Sequence, residues 1–209
     1  MTADLIHLVR HGEVHNPDGV LYGRIPGYHL SELGHQMADA AAKSFDGRPV
    51  TSLYASPLQR TQESAAPWAE RFGLEITTDE RLIEPENWFE GKVMGQALRR
   101  PSSWLQLRNP LKPSWGEPFR TIEARMLAVV DRAWNEATGG EAVLVSHQLP
   151  IVMVARSVKG LRLPHDPRNR RCSLSSITTL KRDGDRFIEV KYQEPASALL
   201  DAATDFGAV

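Results

Sequence analysis

Leu5-Ile6-His7-Leu8-Val9-Arg10-His11-Gly12-Glu13 decides how this chain is read, because an apolar run ends abruptly in a cation, an imidazole and a glycine. Leu5, Ile6, Leu8 and Val9 suit a short strand buried on both faces, and the switch to Arg10-His11-Gly12 marks its carboxyl end. In open α/β sheets that edge is where ligands gather. The two side chains placed there meet the demands of phosphoryl chemistry. A neutral imidazole nitrogen can attack phosphorus and hold the group covalently. Arginine keeps its charge, and its planar fork matches two phosphate oxygens.

Strand and helix patterns alternate along the rest of the chain, which predicts an α/β sheet with helices on its faces. Strands are expected at 5–9, 51–55, 142–146, 176–180 and 187–192. The last two flank Arg182-Asp183-Gly184-Asp185, whose Asp-Gly step suits a tight hairpin, so the carboxyl-terminal end is predicted to be antiparallel. Ser31 is placed to cap a helix carrying Leu33, Met37, Ala40 and Ala41 on one face. Ser56, Pro57 and Gln59 read as an N-cap, a first-turn proline and a capping-box partner for a helix that Gly73 stops. Ile122, Met126, Val129, Val130 and Ala133 stripe a helix over 119–137, and a further helix runs from about 149 to Gly160.

With 209 residues and no Gly/Ser tract or low-complexity run, the chain reads as a single domain, 1–209. Its 25 basic and 26 acidic residues leave a formal net charge of -1, which argues against a general nucleic-acid or membrane-surface binder. The amino terminus lacks a basic region and carries only a short apolar stretch, so no signal peptide is expected, and no run approaches a membrane span. The one cysteine, Cys172, fits a small buried apolar side chain in a reducing cytoplasm.

Three more places repeat the logic of the first. The strand at 51–55 runs into Ser56-Pro57-Leu58-Gln59-Arg60, which puts Arg60 in the first turn of a helix, where free N–H groups already favour an anion. The run Ala142-Val143-Leu144-Val145-Ser146 ends at His147. Glu84 leads into a loop, 85–91, that holds Trp88 and Phe89. Parallel strands bring their carboxyl ends to one rim, so Arg10, His11, Arg60, Glu84 and His147 together supply a nucleophile, two clamps, an acid and a further donor. That inventory fits phosphomonoester hydrolysis. Arg168, Arg170 and Arg171 read as a solvated loop.

The chain resembles the histidine phosphatase superfamily, also called phosphoglycerate mutase-like. The residues that carry the likeness are Arg10-His11-Gly12-Glu13, Leu30-Ser31-Glu32-Leu33-Gly34, Ser56-Pro57-Leu58-Gln59-Arg60-Thr61, Glu84 with Glu90-Gly91-Lys92, and Ser146-His147. The resemblance implies a three-layer α/β/α sandwich around a mostly parallel sheet with an antiparallel strand near the carboxyl terminus, and neither metal nor organic cofactor. It implies that His11 is phosphorylated, that Arg10 and Arg60 hold the phosphoryl oxygens, that His147 stabilises their charge and that Glu84 handles the proton. Asn16 lies near a phosphate ligand of the family, one residue early, and the Glu84 loop is one residue short. Glu13 and Glu90 are expected to hold neighbouring groups in place. Residues 85–118 correspond to an insert that roofs the active site, where Arg99 and Arg100 could meet a second acidic group.

The expected function is a phosphomonoesterase acting through phosphohistidine on a small phosphorylated metabolite, with no nucleic-acid or membrane partner and a homodimer left open. A cofactor-dependent phosphoglycerate mutase and a non-catalytic phospholigand-binding protein are the alternatives.

Overall fold

Six strands form one mixed sheet in the computed structural model, which describes residues 2–109 and 115–205. They are β1 (Leu5–Arg10), β2 (Val50–Ala55), β3 (Ile76–Thr78), β4 (Glu141–Ser146), β5 (Ile177–Asp183) and β6 (Arg186–Gln193), in the order β3-β2-β4-β1-β5-β6. The four from β1 to β4 are parallel, and β5 runs antiparallel to both β1 and β6. The β5–β6 hairpin is as expected, although its two-residue loop falls on Gly184-Asp185, with Gly184 at φ 60°. Glycine at the first loop position suits the turn that follows the twist of the flanking strands. β3 was not foreseen: Ile76-Thr77-Thr78 is too short to show a period.

Alternation along the inner strands feeds two cores. Ala142 and Leu144 of β4, with Ile6 and Leu8 of β1, face the helices α5 (Phe119–Glu136) and α6 (Gln148–Val158). Val143, Val145 and Val9 face the opposite layer, α1 (Glu32–Lys43) and α2 (Gln59–Phe72), where Trp68 and Phe45 pack edge to face. The three layers are therefore α1/α2, sheet and α5/α6. Two short helices, α3 (Met94–Ala97) and α4 (Pro101–Gln106), lie between β3 and α5.

α1 begins as expected, with the Ser31 hydroxyl accepting from the Gly34 N–H at 3.0 Å. α2 does not. Its first residue is Gln59, Leu58 is the cap without a side-chain bond, and Pro57 lies outside the helix. The Ser56 hydroxyl accepts the Leu58 N–H at 3.5 Å, and its shorter bond is to His147, whose Nε2 lies 2.8 Å away.

Candidate active site

Register places the site. β1 and β4 are paired so that Arg10 faces Ser146, and the His11 N–H then donates to the Ser146 carbonyl at 3.1 Å. On the other side of β4, the Ser56 N–H donates to the Val145 carbonyl at 3.0 Å. The carboxyl ends of β1, β2 and β4 thus lie side by side, and His11, His147 and the start of α2 share one rim. Glu84 reaches the same rim from a different direction. The Asp79 N–H bonds to the Ala55 carbonyl, a 3-10 turn covers Glu80–Leu82, and the Ser146 hydroxyl donates to the Leu82 carbonyl at 2.7 Å. Arg24 Nε donates to the carbonyl of Glu84 itself at 2.6 Å.

All five residues singled out by the sequence are buried and come together. His11 donates from Nδ1 to the Gly12 carbonyl at 2.7 Å, which leaves the lone pair on Nε2. Burial, with the charges of Arg60 and then Arg10, holds its pKa well below the ordinary value of 6.5, so the ring is neutral. The His147 ring stands edge-on to it, 5.3 Å between centroids. Arg60 can only donate, so its bond of 3.2 Å to His147 Nδ1 makes that nitrogen an acceptor and leaves Nε2 to donate to Ser56. Burial and the Arg60 charge keep His147 neutral as well. Arg60 also bonds the Gly23 carbonyl at 2.8 Å and stacks over Tyr22, 4.8 Å from the ring centre.

Glu84 is 4 % exposed, and burial pushes its carboxyl up to about 7 against the opposing pull of Arg60 and Arg10. Its Oε2 lies 3.5 Å from His147 Nδ1. With the imidazole neutral and the acid protonated below about pH 7, this is there a contact of two uncharged groups rather than an ion pair. Glu84 Oε1 is buried and makes no hydrogen bond among the described residues. Leu21, Trp115, Phe119 and Leu149 line the cavity onto which Glu84 opens, whereas Trp88 lies under the Lys92 ammonium, 3.0 Å from its ring centre.

Arg10 donates from Nη1 to the Cys172 carbonyl at 2.7 Å, and both Nη1 and Nη2 reach the carboxylate of Asp205, at 2.7 and 2.5 Å. Burial opposes the Arg10 charge, but Asp205 more than offsets it and holds the guanidinium above its ordinary pKa. Cys172 is buried as expected, its thiol pushed up to about 11 by burial, and it serves Arg10 through its backbone. The Arg168–Arg171 loop divides. Arg168 pairs with Asp166 and Arg171 with Glu189, while Arg170 turns inward, held by His165 Nε2 at 3.0 Å and Gln148 Oε1 at 3.2 Å. It lines the Glu84 cavity, and burial followed by the repulsion of Arg10 lowers its pKa to about 10. A run of arginines in a loop carries no period that could have shown which one points in.

Asn16 closes its own turn: its Nδ2 donates to the Val20 carbonyl and its Oδ1 accepts the Val20 N–H. Among the described residues no hydrogen bond joins it to the five. Glu13 and Glu90 hold neighbours, as expected. Glu13 accepts the Ser31 hydroxyl and, at 2.6 Å, the Thr204 N–H, and Glu90 accepts the Arg24 N–H at 3.1 Å. Arg99 and Arg100 are exposed, and the cavity lined by Arg100 shares no residue with the one lined by Glu84. Among the described residues no group of three or more His, Cys, Asp or Glu side chains is placed to hold a metal ion, and no helix is long and apolar enough to cross a membrane.

A mixed sheet with two imidazoles, two guanidiniums and a neutral carboxyl on one rim is the architecture of the phosphoglycerate mutase-like α/β proteins. The chain belongs to the histidine phosphatase superfamily (branch 1), which it matches over residues 6–195. It is 52 % identical over 195 residues to the uncharacterized protein Rv0525 of Mycobacterium tuberculosis, covering 92 % of this chain and 96 % of that one. It is 29 % identical over 191 residues to a Yersinia enterocolitica protein named probable phosphoglycerate mutase GpmB, covering 82 % and 83 % of the two chains. The fold is shared with the alpha-ribazole phosphatase of Shigella flexneri, at TM-score 0.77 and 18 % identity over 91 % of this chain and 96 % of that one. The mycobacterial glucosyl-3-phosphoglycerate phosphatase Rv2419c shares it too, at TM-score 0.72 and 24 % identity over 90 % and 97 %.

Proposed function

We propose that the protein is a phosphomonoesterase that acts on a small phosphorylated metabolite through a phosphohistidine at His11. The observation that carries this reading is the pairing of protonation states. The imidazole is neutral with its Nε2 lone pair unengaged by Gly12, and beside it a buried carboxyl keeps its proton to about pH 7. Such a matched base and acid is what ester cleavage near neutral pH requires.

Arg10 and Arg60 receive the phosphoryl oxygens. His11 Nε2 forms a bond to phosphorus as the ester P–O bond breaks, and Glu84 gives its proton to the leaving oxygen. The Glu84 carboxylate then takes a proton from water, the water oxygen bonds to phosphorus, the P–N bond breaks, and phosphate leaves with His11 and Glu84 restored. His147, held by Ser56 and Arg60, keeps Arg60 on station for the transferring group. The names of the phosphatases that share the fold are consistent with this chemistry. A mutase reading draws on the name of the Yersinia relative, but it needs a second acid-binding element, and Arg99 and Arg100 lie outside the cavity of Glu84.

The test is release of inorganic phosphate from a simple aryl phosphate, with intact-mass detection of a phosphate adduct. The wild type is expected to turn over and His11→Ala to lose both turnover and adduct. Normal turnover in His11→Ala refutes the reading, interconversion of phosphoglycerates without net release favours the mutase, and phosphate binding with no turnover leaves a phospholigand-binding protein.

A further inference from the structure

We infer that the carboxyl-terminal segment is a ligand of the site: Asp205 occupies Arg10 as an internal anion that substrate phosphate must displace. This rests on the reading of Arg10 as a phosphate clamp. A carboxylate bound by two parallel N–H groups of a guanidinium uses the fork in the way a phosphate would. Asp205 does so on Arg10, and the two cannot share the same donors. Arg10 is 1 % exposed and Asp205 39 %, so the acid lies on the solvent side of the guanidinium.

The segment is built to deliver that acid. Residues Ser197–Ala202 form a 3-10 helix, and Leu199, Leu200 and Ala203 pack on Met37, Leu174 and Ala196. The Thr204 N–H then bonds to Glu13 Oε1 at 2.6 Å, one residue before Asp205. Glu13 in turn accepts the Ser31 hydroxyl, so the anchor of the tail is tied to the cap of α1. A carboxylate held this close acts at an effective concentration in the millimolar range or above, although as a free solute it would be a weak ligand.

An internal competitor has a signature that distinguishes it from a substrate contact. It taxes every ligand of Arg10 by one common factor, the reciprocal of the vacant fraction of the clamp, and leaves the chemical step untouched. Removing it therefore tightens phosphate and sulfate equally and lowers KM by the same factor at constant kcat.

The experiment uses the full chain, Asp205→Ala, and a chain ending at Ala203, with calorimetric titration of inorganic phosphate and of sulfate and steady-state hydrolysis of an aryl phosphate. Both variants are expected to bind the two anions about threefold to tenfold more tightly than the wild type, with KM reduced to match and kcat unchanged. Unchanged affinity in both variants overturns the proposal and leaves the phosphatase reading intact. Weaker binding, or a gain confined to one anion, makes Asp205 a contact rather than a competitor and also overturns it. Absence of phosphate binding in all three proteins overturns this proposal and the phosphate-clamp reading together.

Discussion

Glu84→Gln should abolish phosphate release and yet make the protein more stable, by an amount that grows with pH. The folded protein holds the Glu84 proton to about pH 7, while the unfolded chain releases it near 4.5. Below 4.5 both states are protonated and the carboxyl costs nothing relative to a neutral isostere. Between the two values the unfolded state gains by ionising, and above 7 the whole difference counts against the fold, about 3 kcal/mol at 1.36 kcal/mol per pH unit. Glutamine keeps the shape and removes the charge. For a chain of this length that corresponds to a rise in Tm of about 6–12 °C at pH 8.5, shrinking towards zero at pH 4.5. Calorimetry of both proteins across that range measures it. A Tm difference that does not change with pH, or a variant less stable at pH 8.5, would show that Glu84 is not held protonated by burial.

Three other outcomes follow from the same site and from the opposite end of the sheet. Hydrolysis of an aryl phosphate should fall as pH rises through about 7, when Glu84 loses its proton. It should stay high on the acid side to well below 6.5, where His11 remains neutral, as a kcat/KM profile will report. Arg60→Ala should lower kcat/KM by about 2–4 kcal/mol of transition-state stabilisation while leaving the adduct on His11 detectable by mass. Acid should unfold the protein through Glu141, whose carboxyl is bonded by His7 and bidentately by Arg48 and is drawn down to about 2 despite its burial. Stability from that group is present above 4.5 and lost as pH falls towards 2. His7, depressed by burial, adds a loss in the same direction below 6.5. Glu141→Gln should flatten the fall of Tm between pH 5 and 3.

What the sequence could show was set by how directly each residue reports its own surroundings. The ends of β1 and β4 were legible because the change from apolar to polar coincides with the sheet edge, and parallel register then forces Arg10, His11, Ser146 and His147 together. α5 was legible because one face carries its apolar stripe. Ser56 stands two residues ahead of the cap position, Leu58, and its second role was hidden because a hydroxyl before a helix gives no sign of an imidazole brought from 91 residues away. The carbonyl of Cys172 left no trace, since every residue has one. Trp88 and Phe89 are the neighbours of Glu84 in sequence, whereas Leu21, Trp115, Phe119 and Leu149, distant along the chain, line the cavity onto which it opens.

Burial is the common cause that makes these groups a unit. One low-dielectric environment keeps the imidazole uncharged and the carboxyl protonated, although the two titrate in opposite senses. Arg10 and Arg60 act on the two unequally: they push His11 further towards its neutral form and pull Glu84 back towards ionisation. Up to about pH 7 the rim therefore holds a guanidinium paired with Asp205, a second guanidinium bonded only to neutral groups, a neutral imidazole and a protonated carboxyl. A guanidinium as buried as Arg10 is costly without an anionic partner. Asp205 meets that need from within the chain, at 2.5 Å, and is itself 39 % exposed.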